Sequence, residues 1–295
     1  MSHPHVNVLI IGAGLSGIGA ACHLSRECPG VRYAIVERRQ RMGGTWDLFR
    51  YPGIRSDSDM FTLGYSFRPW TGTQMLADGT SIRRYIEETA QAFGVEKHIH
   101  FGLKVTAAHW SSADNRWTVR VLEEAGRREK VFTCDFLFGC TGYYNYDAGF
   151  TPALPGLDKF GGDVIHPQHW PENYDYGGKR VVVIGSGATA VTLVPAMTDR
   201  AAHVTMLQRS PTYVATVPAQ DLISEGLRRF LPEMAVYRMA RTRNILLQRA
   251  VFKFSIRQPK AMRRLLLAAT RRQLGPSFDM RHFQPRYNPW EERMC

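Results

Sequence analysis

Val6-Asn7-Val8-Leu9-Ile10-Ile11-Gly12-Ala13-Gly14-Leu15-Ser16-Gly17 is the stretch from which the fold can be read. Residues 6–11 have the apolar character of a buried strand, and the glycine turn that closes them opens a helix over residues 15–27. Gly12 permits the tight turn, Gly14 lets backbone amides approach a pyrophosphate, and Gly17 lets helix and strand pack closely. The helix N-terminus then favours the phosphate charge. A second strand over residues 33–36 ends at Glu37, where an acidic side chain can accept hydrogen bonds from a ribose. Strand, turn, helix and acid in this register predict half of a doubly wound sheet that holds a dinucleotide.

Farther along, the chain repeats its opening. Residues 180–184 read as a strand, Gly185-Ser186-Gly187-Ala188-Thr189-Ala190 as a glycine turn, residues 188–198 as a helix and residues 203–208 as a strand. Ala190 stands where the third glycine would be, which helix packing tolerates. This second unit ends on Gln208-Arg209-Ser210 and has no carboxylate there. An acid would repel a 2′-phosphate, whereas a guanidinium can hold one through charge-assisted hydrogen bonds, so NADPH is expected rather than NADH. Between the repeats, residues 104–106, 117–121 and 131–133 predict antiparallel strands inserted into the first domain. Residues 136–142 predict a buried strand returning to the parallel sheet, and the Pro- and Gly-rich residues 151–162 a domain crossing. The expected architecture is α/β, with two Rossmann-like dinucleotide-binding domains. The first covers residues 1–150, and the second covers residues 151–295 with a helical insertion at about 221–275.

The formal charge of +12 is concentrated in that insertion. Residues 221–275 hold thirteen Lys and Arg against Asp221, Glu225 and Glu233, a surplus of ten, so the rest of the chain is nearly neutral. Apolar residues recur there at helical spacing, as in Leu227, Phe230, Leu231 and later Ile245, Leu246 and Phe252, with a polar face that is mostly Arg and Lys. Three readings of the basic face stand: solvated, packed on further chain, or lying on an anionic membrane surface. The first two are preferred because charged outer faces are common on globular helices. No nucleic-acid motif accompanies the charge, so no nucleic-acid role is expected. Cys22, Cys28, Cys134, Cys140 and Cys295 are scattered and odd in number, which fits reduced thiols in the cytoplasm better than a disulfide framework. The first residues lack the pattern of a secretory signal, and no apolar run approaches the roughly 20 residues of a membrane span. Nothing in the spacing of His, Cys, Asp and Glu suggests a metal site.

Met42-Gly43-Gly44-Thr45-Trp46 resembles the Gly-Gly-Thr-Trp segment of flavin-containing monooxygenases, and no close Cys pair of the disulfide reductases is present. The segment Phe160-Gly161-Gly162-Asp163-Val164-Ile165-His166-Pro167-Gln168-His169-Trp170-Pro171 is similar to the Phe-x-Gly-x-x-x-His-x-x-x-Trp-Pro signature of Baeyer-Villiger monooxygenases. The run Tyr51-Pro52-Gly53-Ile54-Arg55-Ser56-Asp57-Ser58-Asp59, the tyrosines of residues 142–146, residues 205–213 and Tyr287-Asn288-Pro289-Trp290 resemble the ethionamide-activating branch of that family. The resemblance implies FAD on the first loop and NADPH as reductant. It also implies O2 insertion into ketones through a C4a-peroxyflavin, with oxidation of sulfur compounds as a second activity. It adds Ser16, Gly44, Thr45, Trp46, Asp47, Leu48, Arg55, Ser56, Asp57 and Val105 to the cofactor-binding set. It makes Arg293 the cation beside the flavin and Asp57 the residue that orients it, and gives His166 a conformational role. Family members continue well past residue 293, so the chain is expected to be C-terminally truncated. The alternative function is then an inactive dinucleotide-binding remnant. A related hydroxylase acting on nitrogen is disfavoured by residues 160–171.

Overall fold

From the N-terminus, β1 (His5–Ile11) leads through the glycine turn into α1 (Leu15–Glu27) and back into β2 (Tyr33–Glu37). Two single-turn helices, α2 (Thr45–Leu48) and α3 (Met60–Leu63), precede α4 (Gly79–Ala92). Four strands follow, β3 (Ile99–Phe101), β4 (Leu103–Ser111), β5 (Arg116–Glu123) and β6 (Arg128–Gly139). The repeat then appears as β7 (Arg180–Ile184), α5 (Ala188–Met197) and β8 (His203–Leu207), followed by α6 (Leu222–Leu227), α7 (Glu233–Arg257) and α8 (Pro259–Leu274). This computed structural model describes residues 3–72, 74–123, 125–292 and 294. The chain forms two compact units, residues 1–50 with 79–170, and residues 51–78 with 171–295.

In the first unit a six-stranded sheet has the order β3-β2-β1-β6-β5-β4. Its β3, β2, β1 and β6 neighbours are parallel, and β4, β5 and β6 form an antiparallel meander. One strand does both jobs. The first half of β6 pairs antiparallel with β5, as in Phe132 opposite Val119, and its second half pairs parallel with β1, as in Leu137 beside Leu9. The two strands expected over residues 131–133 and 136–142 are therefore continuous. Leu9, Ala34, Val36, Leu103, Val119, Val121, Phe132 and Cys134 close one core between these strands. Burial pushes the Cys134 thiol up to about 11, so it behaves as an apolar side chain.

On the opposite face α1 lies over β1 and β2. Phe136 and Phe138, which share that face with Ile10, are 57% and 42% exposed, so the expected burial of this return strand is corrected.

In the second unit β7 and β8 are parallel, with α5 on one face. Residues 51–78 join this unit rather than the first, and residues 151–170 stay with the first, so the break expected near residue 150 is replaced by crossings at 50/51, 78/79 and 170/171. The physical reason is a set of long-range hydrogen bonds. Asp59 caps α3 and accepts from Asn244 Nδ2 at 2.9 Å and Gln248 Nε2 at 3.0 Å. The Arg241 guanidinium donates to the carbonyls of Phe61, Thr62 and Gly64 at the end of α3. Gly53, with φ of +78°, approaches α5 so closely that a Cβ would lie 2.5 Å from the Thr192 carbonyl oxygen.

The stripe of α7 that packs is thus Val236, Tyr237, Ala240, Asn244 and Ser255, not the expected Ile245, Leu246 and Phe252, which are 38%, 58% and 48% exposed. Phe230, expected on the apolar face, is 83% exposed.

Candidate functional site

The two glycine turns have the same geometry. Gly12 and Gly185 take positive φ values of 102° and 127°, and their N–H groups donate to Val36 O and Leu207 O, each at 2.8 Å. Gly14 and Gly187 are the extended residues that open α1 and α5. The turns differ where helix meets strand. At Gly17 a Cβ would sit 1.9 Å from Gly12 O, while the matching Ala190 is accommodated and 4% exposed.

Around the first turn the structure brings together most of the residues singled out by sequence. Gly44, itself at a φ of +57°, faces Gly14 so that a Cβ on it would lie 3.0 Å from Gly14 Cα. The amide of Gly43 donates to Ala13 O at 3.0 Å, which fixes one turn against the other. Glu37 is 6% exposed and braces the first turn and the chain just after β2. Its Oε2 accepts from the Ala13 N–H at 2.7 Å and its Oε1 from the Arg39 N–H at 2.8 Å, each oxygen keeping a second lone pair. Ser16 is exposed on the first turn of α1, and Thr45, Trp46, Asp47 and Leu48 form α2. Val105 lies on β4 beside a bulge, where Thr106 is the extra residue between the Val105–Val121 and Ala107–Arg120 pairs.

Sequence reasoning missed the charge arrangement beside this turn. The Asp47 side chain is 1% exposed and is surrounded by four guanidiniums. Arg39 reaches Oδ2 at 2.7 Å, Arg50, Arg41 and Arg83 reach Oδ1 at 3.1, 3.3 and 3.9 Å, and Arg83 also meets Glu87. Arg38, Arg39, Gln40, Arg41, Asp47 and Tyr146 line a cleft of about 380 Å³ with a surplus of positive charge. The Tyr146 hydroxyl would lie 3.9 Å from a Cβ at Gly44, and burial pushes the pKa of this phenol above its ordinary value. The run Arg38-Arg39-Gln40-Arg41 directly after Glu37 was the available signal.

At the rim, Asp147 pairs with Arg38 and with Lys104 at 3.2 Å. The hydrogen bond from Arg38, then that from Lys104, holds its carboxyl down at about 2 from the ordinary 3.8. A depressed carboxylate contributes its tether above the ordinary value and loses it as pH falls through the folded one. Amide hydrogen exchange over residues 143–149 is therefore expected to quicken as pH drops from 3.8 towards about 2. Asp147→Asn should exchange at the acid rate throughout; identical protection in both proteins would refute the tether.

In the second unit Ser186 is 4% exposed, and its hydroxyl donates to Ser210 O at 3.3 Å and lies 3.2 Å from Thr212 Oγ1. Ala188, Thr189 and Ala190 begin α5, and Gln208 Nε2 donates to His282 O at 2.8 Å. Arg209 is exposed immediately after β8. Ser56 is buried and ties its hydroxyl to Ser58, while Arg55 and Asp57 are exposed in the same segment. Arg55, Ser56 and Asp57 thus belong to the second unit. Arg293 lies outside the described residues.

Residues 160–171 contribute local packing. The Phe160 ring folds over Gly162, His166 lies against Gly149 and accepts the Gln168 N–H through Nδ1 at 3.2 Å, and Trp170 ends the first unit.

Comparisons with known proteins show which family the chain resembles. A profile described as "Flavin-binding monooxygenase-like" matches residues 74–228, and one described as "NAD(P)-binding Rossmann-like domain" matches residues 10–77. The chain is 61% identical over 295 residues to a putative FAD-containing monooxygenase, MymA, of Mycobacterium tuberculosis. It is 55% identical over 293 residues to the FAD-containing monooxygenase EthA of the same organism. Each match covers 99% of this chain and 60% of the relative, so the chain spans about three fifths of their length. Among solved structures, the ε-caprolactone-bound cyclohexanone monooxygenase superposes with a TM-score of 0.69 at 29% identity, covering 81% of this chain and 45% of that one.

Proposed function

The chain belongs to the flavin-binding monooxygenase-like family, and from that membership we propose that its first glycine loop holds FAD and its second NADPH. Together they would serve O2 insertion into ketones and oxidation of sulfur compounds. The observation that carries the cofactor assignment is the contrast between two matched strand ends. Glu37 is buried and acidic at the end of β2, and Arg209 is exposed and cationic just beyond β8.

The residues present suit both groups. Beyond its own chain neighbours, no atom of the described residues lies within 4 Å of where a Cβ on Gly187 would be, so a diphosphate can approach the start of α5. At the first turn, Gly14 and Gly44 keep side chains out of the approach to α1, and the guanidiniums around Asp47 offer the charge a phosphate-bearing ligand needs. When bound, FAD supplies the redox chemistry, taking hydride from NADPH and activating O2. The chain's residues bind and orient. Glu37 keeps the loop open by holding the Ala13 amide, and Arg209 receives the 2′-phosphate. Asp57 is proposed to orient Arg293, whose cation would offset the oxyanion that develops on a carbonyl substrate. The free thiols Cys28, Cys134 and Cys140 support a reducing, cytoplasmic setting, and among the described residues no helix is long and apolar enough to cross a membrane.

The test is direct. Purified protein should retain or take up FAD, and NADPH-dependent O2 uptake should rise on adding a cyclic ketone or a thioether. Failure to bind flavin at all overturns the reading. Arg209→Ala is expected to weaken NADP⁺ binding about 10- to 100-fold, the worth of a charge-assisted contact, and to leave NAD⁺ binding unchanged. Equal loss for both nucleotides in a fluorescence titration would remove Arg209 from the 2′-phosphate.

A further inference from the structure

Residues 234–278 contain eleven Lys and Arg and no Asp or Glu. Four of these cations are used inside the second unit. Arg241 and Arg243 turn to the carbonyls after α3 and to Asp221, and Arg263 and Arg271 cap the carbonyls of Pro285 and Phe278. The other seven, Arg238, Arg249, Lys253, Arg257, Lys260, Arg264 and Arg272, are exposed and make no hydrogen bond or ion pair among the described residues.

The outward face of α7 carries more than charge. Opposite the packed stripe of Val236, Tyr237, Ala240, Asn244 and Ser255 stand two rows at seven-residue spacing, close to two helical turns. One row is Met239, Leu246 and Lys253; the other joins Arg249 to Ile256. Met239, Leu246 and Ile256 are 51%, 58% and 60% exposed, and Leu265 on α8 is also 60% exposed. A face that is merely solvated gains nothing from large aliphatic side chains between cations. A nucleic-acid backbone offers those side chains no partner. The boundary between headgroups and acyl chains satisfies both sets, because Lys and Arg can lay their stems along apolar surface while the charged heads reach phosphate.

We propose that α7 and α8 form a peripheral docking surface for an anionic lipid bilayer, lying on it without spanning. Electrostatic attraction gathers the chain at the surface, and Met239, Leu246, Ile256 and Leu265 enter the interface.

Co-sedimentation of the full 295-residue chain with vesicles of phosphatidylglycerol and phosphatidylcholine tests this, with pure phosphatidylcholine vesicles for comparison. Binding is expected to the anionic vesicles at low salt and to fall as salt screens the surface. Arg249→Gln/Lys253→Gln/Arg257→Gln should weaken it roughly a hundredfold, since each cation near such a surface counts for about a factor of five. A charge-matched control on the first unit, Lys97→Gln/Arg116→Gln/Arg120→Gln, should change it only a few-fold. Leu246→Gln/Ile256→Gln should remove about tenfold, including the part that survives high salt.

No binding at low salt, or equal loss in the two charge-matched variants, overturns the proposal. So does self-association without vesicle binding, which gives the face to a second copy. Tighter binding to duplex DNA, indifferent to Leu246→Gln/Ile256→Gln, overturns it as well. None of these readouts requires flavin or turnover, so they stand apart from the cofactor assignment.

Discussion

Gly17→Ala is expected to lower stability by about 3 kcal/mol and to abolish flavin retention, whereas Gly14→Ala should abolish only the retention. The difference lies in what the new methyl group meets. At Gly17 it would fall 1.9 Å from Gly12 O and 3.4 Å from Ile10 Cγ2, in backbone and core that cannot move aside, so α1 must lift from β1. At Gly14 the φ of −81° suits any residue, and the nearest atom, Gly44 Cα, is 3.4 Å away. The fold accepts that methyl group, yet it occupies the approach to the start of α1. Urea unfolding and visible flavin absorbance separate the two outcomes. A stable Gly17→Ala protein would contradict the packing argument, and a flavin-replete Gly14→Ala protein would contradict the placement of the cofactor.

The second large effect concerns Asp47. Asp47→Ala removes the carboxylate around which Arg39, Arg41, Arg50 and Arg83 gather, leaving Arg83 its pair with Glu87, and is expected to cost about 3 kcal/mol in urea unfolding. Breaking a buried pair from one side typically costs 3–5 kcal/mol, because the partner charges are left without compensation. The lower end applies here because the guanidiniums remain 27–51% exposed and can rehydrate. Loss should fall mostly on the order of residues 38–50, and raising salt should recover part of it as the cations are screened. An unfolding midpoint within error of the parent would show that the cluster is held by packing alone.

Much of this was legible in the chain itself, because the decisive signals are local. Each glycine turn, with its strand before and helix after, is encoded within about thirty residues, and both appear with matching dihedrals and matching amide bonds. The antiparallel strands also follow from local alternation. What escaped was encoded at a distance. Residues 131–133 and 136–142 read as two strands, and nothing in residues 128–139 shows that they are one strand that exchanges an antiparallel neighbour for a parallel one. The association of residues 51–78 with the second unit depends on Asp59 meeting Asn244 across 185 residues. The inward turn of α7 was hidden because Asn244, Arg241 and Arg243 pack it through polar bonds, while Ile245, Leu246 and Phe252 are exposed. Arg39, Arg41, Arg50 and Arg83 read singly as surface charge, and only the folded chain points them at one carboxylate.

The double allegiance of β6 bears on the timing of synthesis. His5 of β1 sits beside Thr133 of β6, so β1 waits for a partner made 128 residues later. Its other neighbour, β2, arrives after about one helix. At translation speeds of roughly 5–20 residues per second, one edge of β1 stays open for on the order of ten seconds. The meander of β4, β5 and β6 closes by short hairpins in microseconds once it emerges, and presents the far half of β6 as a ready template. The nascent chain therefore carries an apolar strand with one open edge through most of the first unit's synthesis, a natural point of engagement for a chaperone.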